Sequence, residues 1–159
     1  MAAKNTERWT PNVTVAAIVE ANGRYLLVEE ATADGLRLNN PAGHLEAGES
    51  LVQAVVREVL EETACAFTPS YLVGVYLAPA SDPRTPSYLR FTFAGSVGAP
   101  QEGRSLDRGI VRTLWLTPPE IGAERARHRS ALLWRGIQDH RAGQRHSLAL
   151  LHFEALRSE

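Results

Sequence analysis

The 159-residue chain has a single cysteine, Cys65, so it cannot staple itself with an internal disulfide. That thiol follows an apolar-patterned segment, where a small core residue is expected rather than a nucleophile. Charge of neither sign dominates: 17 Lys and Arg stand against 18 Asp and Glu, for a formal net charge of -1. A broad surface for DNA or another large nucleic acid is therefore not expected, because nonspecific binding to phosphate backbones draws mainly on Lys and Arg. No run nears the roughly 20 apolar residues that cross a bilayer, so no membrane partner is expected. Residues 1–10 carry charge and lack a continuous apolar core; they do not read as a secretory signal and are expected to be loosely ordered. These absences favour a reducing, cytoplasmic setting.

What is present suits one globular domain spanning residues 1–159, with 44% hydrophobic and 22% charged residues and no repeat or linker. Residues 13–19 and 25–30 are rich in β-branched and large apolar side chains and flank Asn22-Gly23, a hairpin signal, so two antiparallel strands are predicted. Pro41, Gly43 and Gly48 mark residues 39–49 as a loop. Ser50 with Gln53 forms a capping-box pattern, predicting a helix over residues 51–63. Residues 71–77, 88–97 and 111–116 are further strand candidates, the first two joined by a turn over 78–87. Thr117, Pro118 and Glu120 open a short helix, in which Glu120 reads as a cap rather than a catalytic acid. Leu132, Leu133, Gly136, Ile137 and His140 follow helical spacing, ended by Gly143. Residues 148–153 are assigned to a last strand. Trp115 and Trp134 are expected in the core, while Trp9 is left open.

The most informative stretch is GHLEAGESLVQAVVREVLEETAC, beginning at Gly43. On an ideal helix Glu58, Glu61 and Glu62 fall within an arc of roughly 100°, beside an apolar arc of Val52, Val55, Val56, Val59 and Leu60. A solvated acidic face is the ordinary explanation of such a pair of glutamates, but here it is strained. Like charges at these spacings repel by a few tenths of a kcal/mol, roughly, per pair. Anions in the second half of a helix also oppose its dipole, at about 0.3 to 1 kcal/mol each. Arg57 could offset one charge but not three. A divalent cation reverses these penalties, and carboxylate oxygens favour Mg²⁺ or Mn²⁺. Mg²⁺ commonly completes its shell with water and substrate phosphate, which points to phosphate chemistry.

Gly43, Glu49, Arg57, Glu58, Val59, Glu61, Glu62 and Cys65 resemble the signature of the Nudix hydrolase family: Gly, five residues, Glu, seven residues, then Arg-Glu-apolar-x-Glu-Glu-x-Gly-apolar. One position departs, since Ala64 stands where the family has glycine. If that residue needs positive φ, Ala costs about 1 kcal/mol. The resemblance implies an α/β fold, an α/β/α sandwich around a mixed sheet. It also implies metal binding by Glu58, Glu61 and Glu62, with the Gly43 carbonyl as a further ligand, and an Arg57–Glu49 pair bracing the acidic helix. PAGHLEAGESLVQA, TPSYLRFTFA and AGQR are similar to NudJ-type bacterial phosphatases. This implies hydrolysis of thiamine pyrophosphate, its pyrimidine diphosphate precursor and nucleoside di- and triphosphates. A small phosphorylated metabolite is thus the expected partner and Mg²⁺, or Mn²⁺, the expected cofactor. Dinucleotide or ADP-ribose pyrophosphatase, and a noncatalytic nucleotide-binding module, are the alternatives.

For the general base, Glu58 and Glu61 are the candidates; some family members use a later loop, where Asp107 is the nearest acid. His44 either touches substrate or is an idle loop residue. Arg90 sits among Leu89, Phe91 and Phe93 on a predicted strand, and either grips a terminal phosphate with two donors or faces solvent.

Overall fold

The computed structural model describes residues 9–80 and 86–154. Most of the N-terminal segment expected to be loose, and the centre of the predicted 78–87 turn, lie outside the described residues.

Strands β1 (Asn12–Ala21) and β2 (Arg24–Thr32) meet at Asn22 and Gly23, whose φ values of 53° and 75° are the paired positive angles of a tight hairpin turn. Then come β3 (Gly35–Asn39), β4 (Ala42–His44), helix α1 (Leu51–Thr63), β5 (Cys65–Ala78), β6 (Tyr88–Pro100) and β7 (Ile110–Leu116). Two helices, α2 (Pro118–Ala123) and α3 (Ala131–Arg141), complete the main elements. The sheet runs β3-β2-β1-β6-β5, with β4 also on β1 and β7 on β2. It is mixed: β1 and β6 are parallel, and the other pairs are antiparallel.

Alternation along β1 divides the core. Val15, Ala17 and Val19 join Val55 and Val59 of α1 and Phe93 of β6 in one cluster. Ile18 turns the other way and joins Ile121, Leu133 and Ile137 from α2 and α3. Each such aliphatic side chain contributes about 1.5–3 kcal/mol on burial, so the two layers of helix are fixed by the period-two pattern of one strand. This is the sandwich around a mixed sheet.

Several sequence expectations change. Residues 39–49 are not all loop, because Ala42, Gly43 and His44 pair with Ala16, Val15 and Thr14 as β4. The β1 backbone needs hydrogen-bond partners in a buried setting, and this outweighs the turn propensity of Pro41 and Gly43. The β3 strand was not anticipated. Beyond it, β5 starts directly after α1, well before residue 71. Residues 148–153 form no strand: Leu148–Leu150 is a 3-10 turn, where the Ser147 hydroxyl accepts from the Ala149 N–H at 3.1 Å. That local bond competes with sheet pairing. Trp115 is not core, with 37% of its surface exposed, and Trp9 is exposed too. Trp134 is half-buried against the second cluster, with the Arg125 guanidinium 5.4 Å from its ring centre.

Candidate active site

Helix α1 is fixed at both ends by short-range chemistry. The Ser50 hydroxyl accepts from the Gln53 N–H, and the Gln53 side chain accepts from the Ser50 N–H. At the other end Ala64 takes φ 59°, the left-handed region, so the strain of a non-glycine residue is tolerated there. Its N–H donates to the Leu60 carbonyl at 3.0 Å, and its carbonyl accepts from Gln101 at 2.8 Å. The helix end therefore keeps its turn, and Cys65 beyond it is buried.

Arg57 is the hub of the acidic face. Its Nε and Nη2 donate to the two carboxylate oxygens of Glu49 at 3.0 and 2.6 Å. Its Nη1 donates to Glu58 at 2.8 Å and Glu61 at 3.1 Å, and Nη2 also reaches the His44 carbonyl at 2.9 Å. One guanidinium thus ties the loop after β4 to two turns of α1. Hydrogen bonding from Arg57 holds the Glu49 carboxyl below its usual range, and Glu49 in turn holds Arg57 more firmly protonated.

The other carboxylates are less well compensated. Burial raises Glu58 above the ordinary carboxylate range despite Arg57. Burial pushes Glu62 up to about 8, partly opposed by the Ala42 N–H, which donates to it at 2.8 Å. Asp107 stands near enough to raise both, and its N–H donates to the Glu61 carbonyl at 2.9 Å. The structure therefore brings Asp107 to the C-terminal end of the acidic helix. Glu120 is elsewhere: it completes the Thr117 capping box and pairs with Arg24 at 3.2 Å, as a structural acid.

Gly43 is needed for close approach. A Cβ there would lie 2.1 Å from the Glu58 carboxyl carbon, so only glycine lets this carboxylate settle against β4. Among the described residues, no three His, Cys, Asp or Glu side chains already converge as a closed metal cage. The donor set still fits a hard divalent cation: buried, mutually repelling carboxylates gain from a cation whose remaining positions go to water and phosphate.

Beside this face lies a cavity of about 630 Å³, bordered by Gly43, His44, Glu62, Tyr88 and Arg90. His44 is exposed at its edge. Arg90 does not face solvent, being only 8% exposed, and its Nε and Nη1 lack hydrogen-bond partners among the described residues. Sequence reading missed Glu30, whose carboxylate accepts from Asn39 Nδ2 at 3.0 Å and pairs with Arg129 at 3.5 Å on the cavity wall. No motif flags it, because its partners arrive from β3 and from the residue before Ser130, the α3 cap.

A NUDIX domain profile matches residues 8–134. The chain is 37% identical over 141 residues to a phosphatase NudJ of Escherichia coli (strain K12), covering 89% of this chain and 90% of that protein. The same figures hold for a phosphatase NudJ of Shigella flexneri. Among solved structures, a NUDIX hydrolase from Nitrosomonas europaea is 47% identical, with a TM-score of 0.88, covering 91% of this chain and 98% of that one. A UDP-X diphosphatase shares the fold at 19% identity and a TM-score of 0.70, covering 91% and 70%. The acidic helix, the mixed sheet between helices and these relatives agree: the chain belongs to the Nudix family and is a phosphohydrolase of its pyrophosphate-cleaving kind.

Proposed function

We propose that this enzyme hydrolyses a phosphoanhydride in a small diphosphate or triphosphate, with thiamine pyrophosphate, its pyrimidine diphosphate precursor and nucleoside di- and triphosphates as the substrate set. The observation that carries this reading is the Arg57-braced acidic face of α1 opening beside a cavity that holds a buried, underused arginine. Residues 1–159 act as one domain in this reading, since β2, β4, α1, β6 and α3 all border one cavity.

Glu58, Glu61 and Glu62 would hold the divalent cation, Mg²⁺ or Mn²⁺, with the Gly43 carbonyl beside them. When bound, the cation supplies charge neutralisation on the phosphoryl oxygens and acidifies water. The chain's own residues do the rest. Glu49 and Arg57 fix the acidic helix against its loop. Glu58 or Glu61 takes the proton from the water that attacks phosphorus in line with the leaving oxygen. His44 and Arg90 contact the substrate. Glu58, Glu61 and Glu62 sit on one helix and Gly43, His44 and Arg90 on strands, which suits a reaction that needs positioning more than covalent chemistry. Localisation is proposed as cytoplasmic; among the described residues no helix is long and apolar enough to cross a membrane.

Incubation with Mg²⁺ and each candidate substrate, followed by product identification, tests the proposal. Release of orthophosphate from thiamine pyrophosphate or a nucleoside diphosphate is expected. Two nucleotide-like products from a dinucleotide or ADP-ribose, with the diphosphates untouched, would instead establish the other pyrophosphatase class. Ligand binding without turnover would establish a noncatalytic module.

A further inference from the structure

Glu29 is the most deeply buried carboxylate among the described residues, 2% exposed, and it takes no part in the chemistry above. It leaves β2 on the side of Leu27, whose cluster holds Ile121, Leu133 and Ile137 of α2 and α3, and so points away from the acidic helix. Its neighbour Glu30 turns the other way and borders the cavity. Glu29 itself does not border it.

Two arginines from different elements meet on this carboxylate. Arg112 of β7 donates from Nε at 2.8 Å, and Arg127 of the 3-10 turn Arg125–Arg127 donates from Nη2. Each arginine leads to a stretch of cavity wall. Arg127 belongs to a strap laid on β3: Arg37 Nη1 donates to the Ala126 carbonyl at 2.9 Å, the Arg129 N–H donates to the Leu38 carbonyl at 2.8 Å, and His128 bridges Leu38. Arg129 and Ser130, next along the strap, border the cavity. At Arg112 the pairing of β2 with β7 slips by one residue, since Glu29 faces Arg112 while Glu30 faces Ile110. Beyond the slip the Ala31 N–H donates to the Gly109 carbonyl at 2.8 Å, and Arg108, Gly109 and Ile110 border the cavity.

Regular structure alone secures neither stretch. A bulge interrupts the ladder, so a side-chain pin beside it fixes where the slip falls. The strap meets β3 through a one-residue bridge. Glu29 sits among Leu27, Val28 and Leu38, each fully buried, where an apolar side chain would also pack. A buried ion pair adds little stability over such a residue, because desolvation offsets the attraction; what it offers in exchange is one defined geometry.

We infer that Glu29 is a positioning residue for the hydrolysis: without touching substrate it holds residues 108–110 through Arg112 and residues 129–130 through Arg127 at their places on the cavity wall. The inference rests on the proposed cleavage only for its kinetic assay.

The test combines steady-state kinetics on thiamine pyrophosphate and uridine diphosphate with residue-resolved amide exchange in wild type, Glu29→Gln, Arg127→Met and Arg112→Met. Glu29→Gln should raise KM about tenfold with kcat nearly unchanged, because wall contacts bind ground state and transition state alike. Adding Arg127→Met to Glu29→Gln should cost less than the product of the two single effects, since both act through one ion pair. Exchange should quicken at the Ala31 and Arg129 amides in Glu29→Gln, at Arg129 alone in Arg127→Met and at Ala31 alone in Arg112→Met, while amides in the middle of α1 keep wild-type rates. A merely structural role predicts quickening spread over the whole chain with KM unchanged in the folded protein, and either result would overturn the inference. Should Glu29→Gln fail to fold, the two arginine variants, which remove partly exposed side chains, decide it by the same exchange pattern. Failure of wild type to cleave either diphosphate would strike the hydrolase reading instead, and exchange, which needs no turnover, would then decide whether Glu29 holds the wall.

Discussion

Arg57 and Gly43 are the residues whose chemistry is least replaceable. Arg57 spends a planar fork on Glu49 while Nη1 spans Glu58 and Glu61, a geometry that an ammonium cannot copy. Arg57→Lys should therefore keep the fold and lower Mg²⁺-supported turnover by about 10- to 100-fold, read by titrating rate against Mg²⁺. Gly43→Ala should act through Glu58, because the new methyl group would occupy the carboxylate's place. Turnover is expected to collapse while circular dichroism stays native; unchanged turnover would show that the Glu58 position is unimportant. The acidic face was legible at this scale because helical spacing alone gathers Glu58, Glu61 and Glu62. Arg90 was not. Strand alternation tells which side of a sheet a residue leaves from, but not that α3 and the β2–β3 turn close over that side.

Elements were legible where the signal was local. The Asn22-Gly23 turn, the Ser50 cap and the Thr117 cap all carry their information in four or fewer neighbouring residues, and each forms as expected. Where the deciding partner is distant, the local sequence carries no such signal. The β4 strand exists because β1 offers it a pairing edge, and residues 148–153 lack a strand because Ser147 satisfies their backbone first. Ala64 shows both sides: the family pattern flagged the position, while the left-handed φ of 59° emerges only in the structure. Ala64→Gly should relieve that strain and stabilise the protein by up to about 1 kcal/mol, measured by urea unfolding. A loss of stability would mean that packing of the Ala64 methyl outweighs the backbone cost.

At the scale of the whole molecule, charge and stability are coupled through the same carboxylates. Burial sets Glu62 at about 8, above the usual 4.5, so the folded protein retains a proton that the unfolded chain releases between those values. That contribution to stability is complete below the unfolded value and is lost as pH rises through the folded one. Without metal, melting temperature should therefore carry a falling component from about pH 5 to pH 8, and the increase produced by Mg²⁺ should grow over the same interval. Glu62→Gln should flatten both trends. An Mg²⁺ effect of equal size at both ends of the interval would contradict this coupling. Whether carboxylates on one helix face carry the hydrolysis is decided by phosphate release from thiamine pyrophosphate in Mg²⁺ by wild type and Glu61→Gln, with both folds verified. Wild type is expected to turn over and the variant to fall by about 10²- to 10⁴-fold; equal rates would remove the acidic face from the reaction.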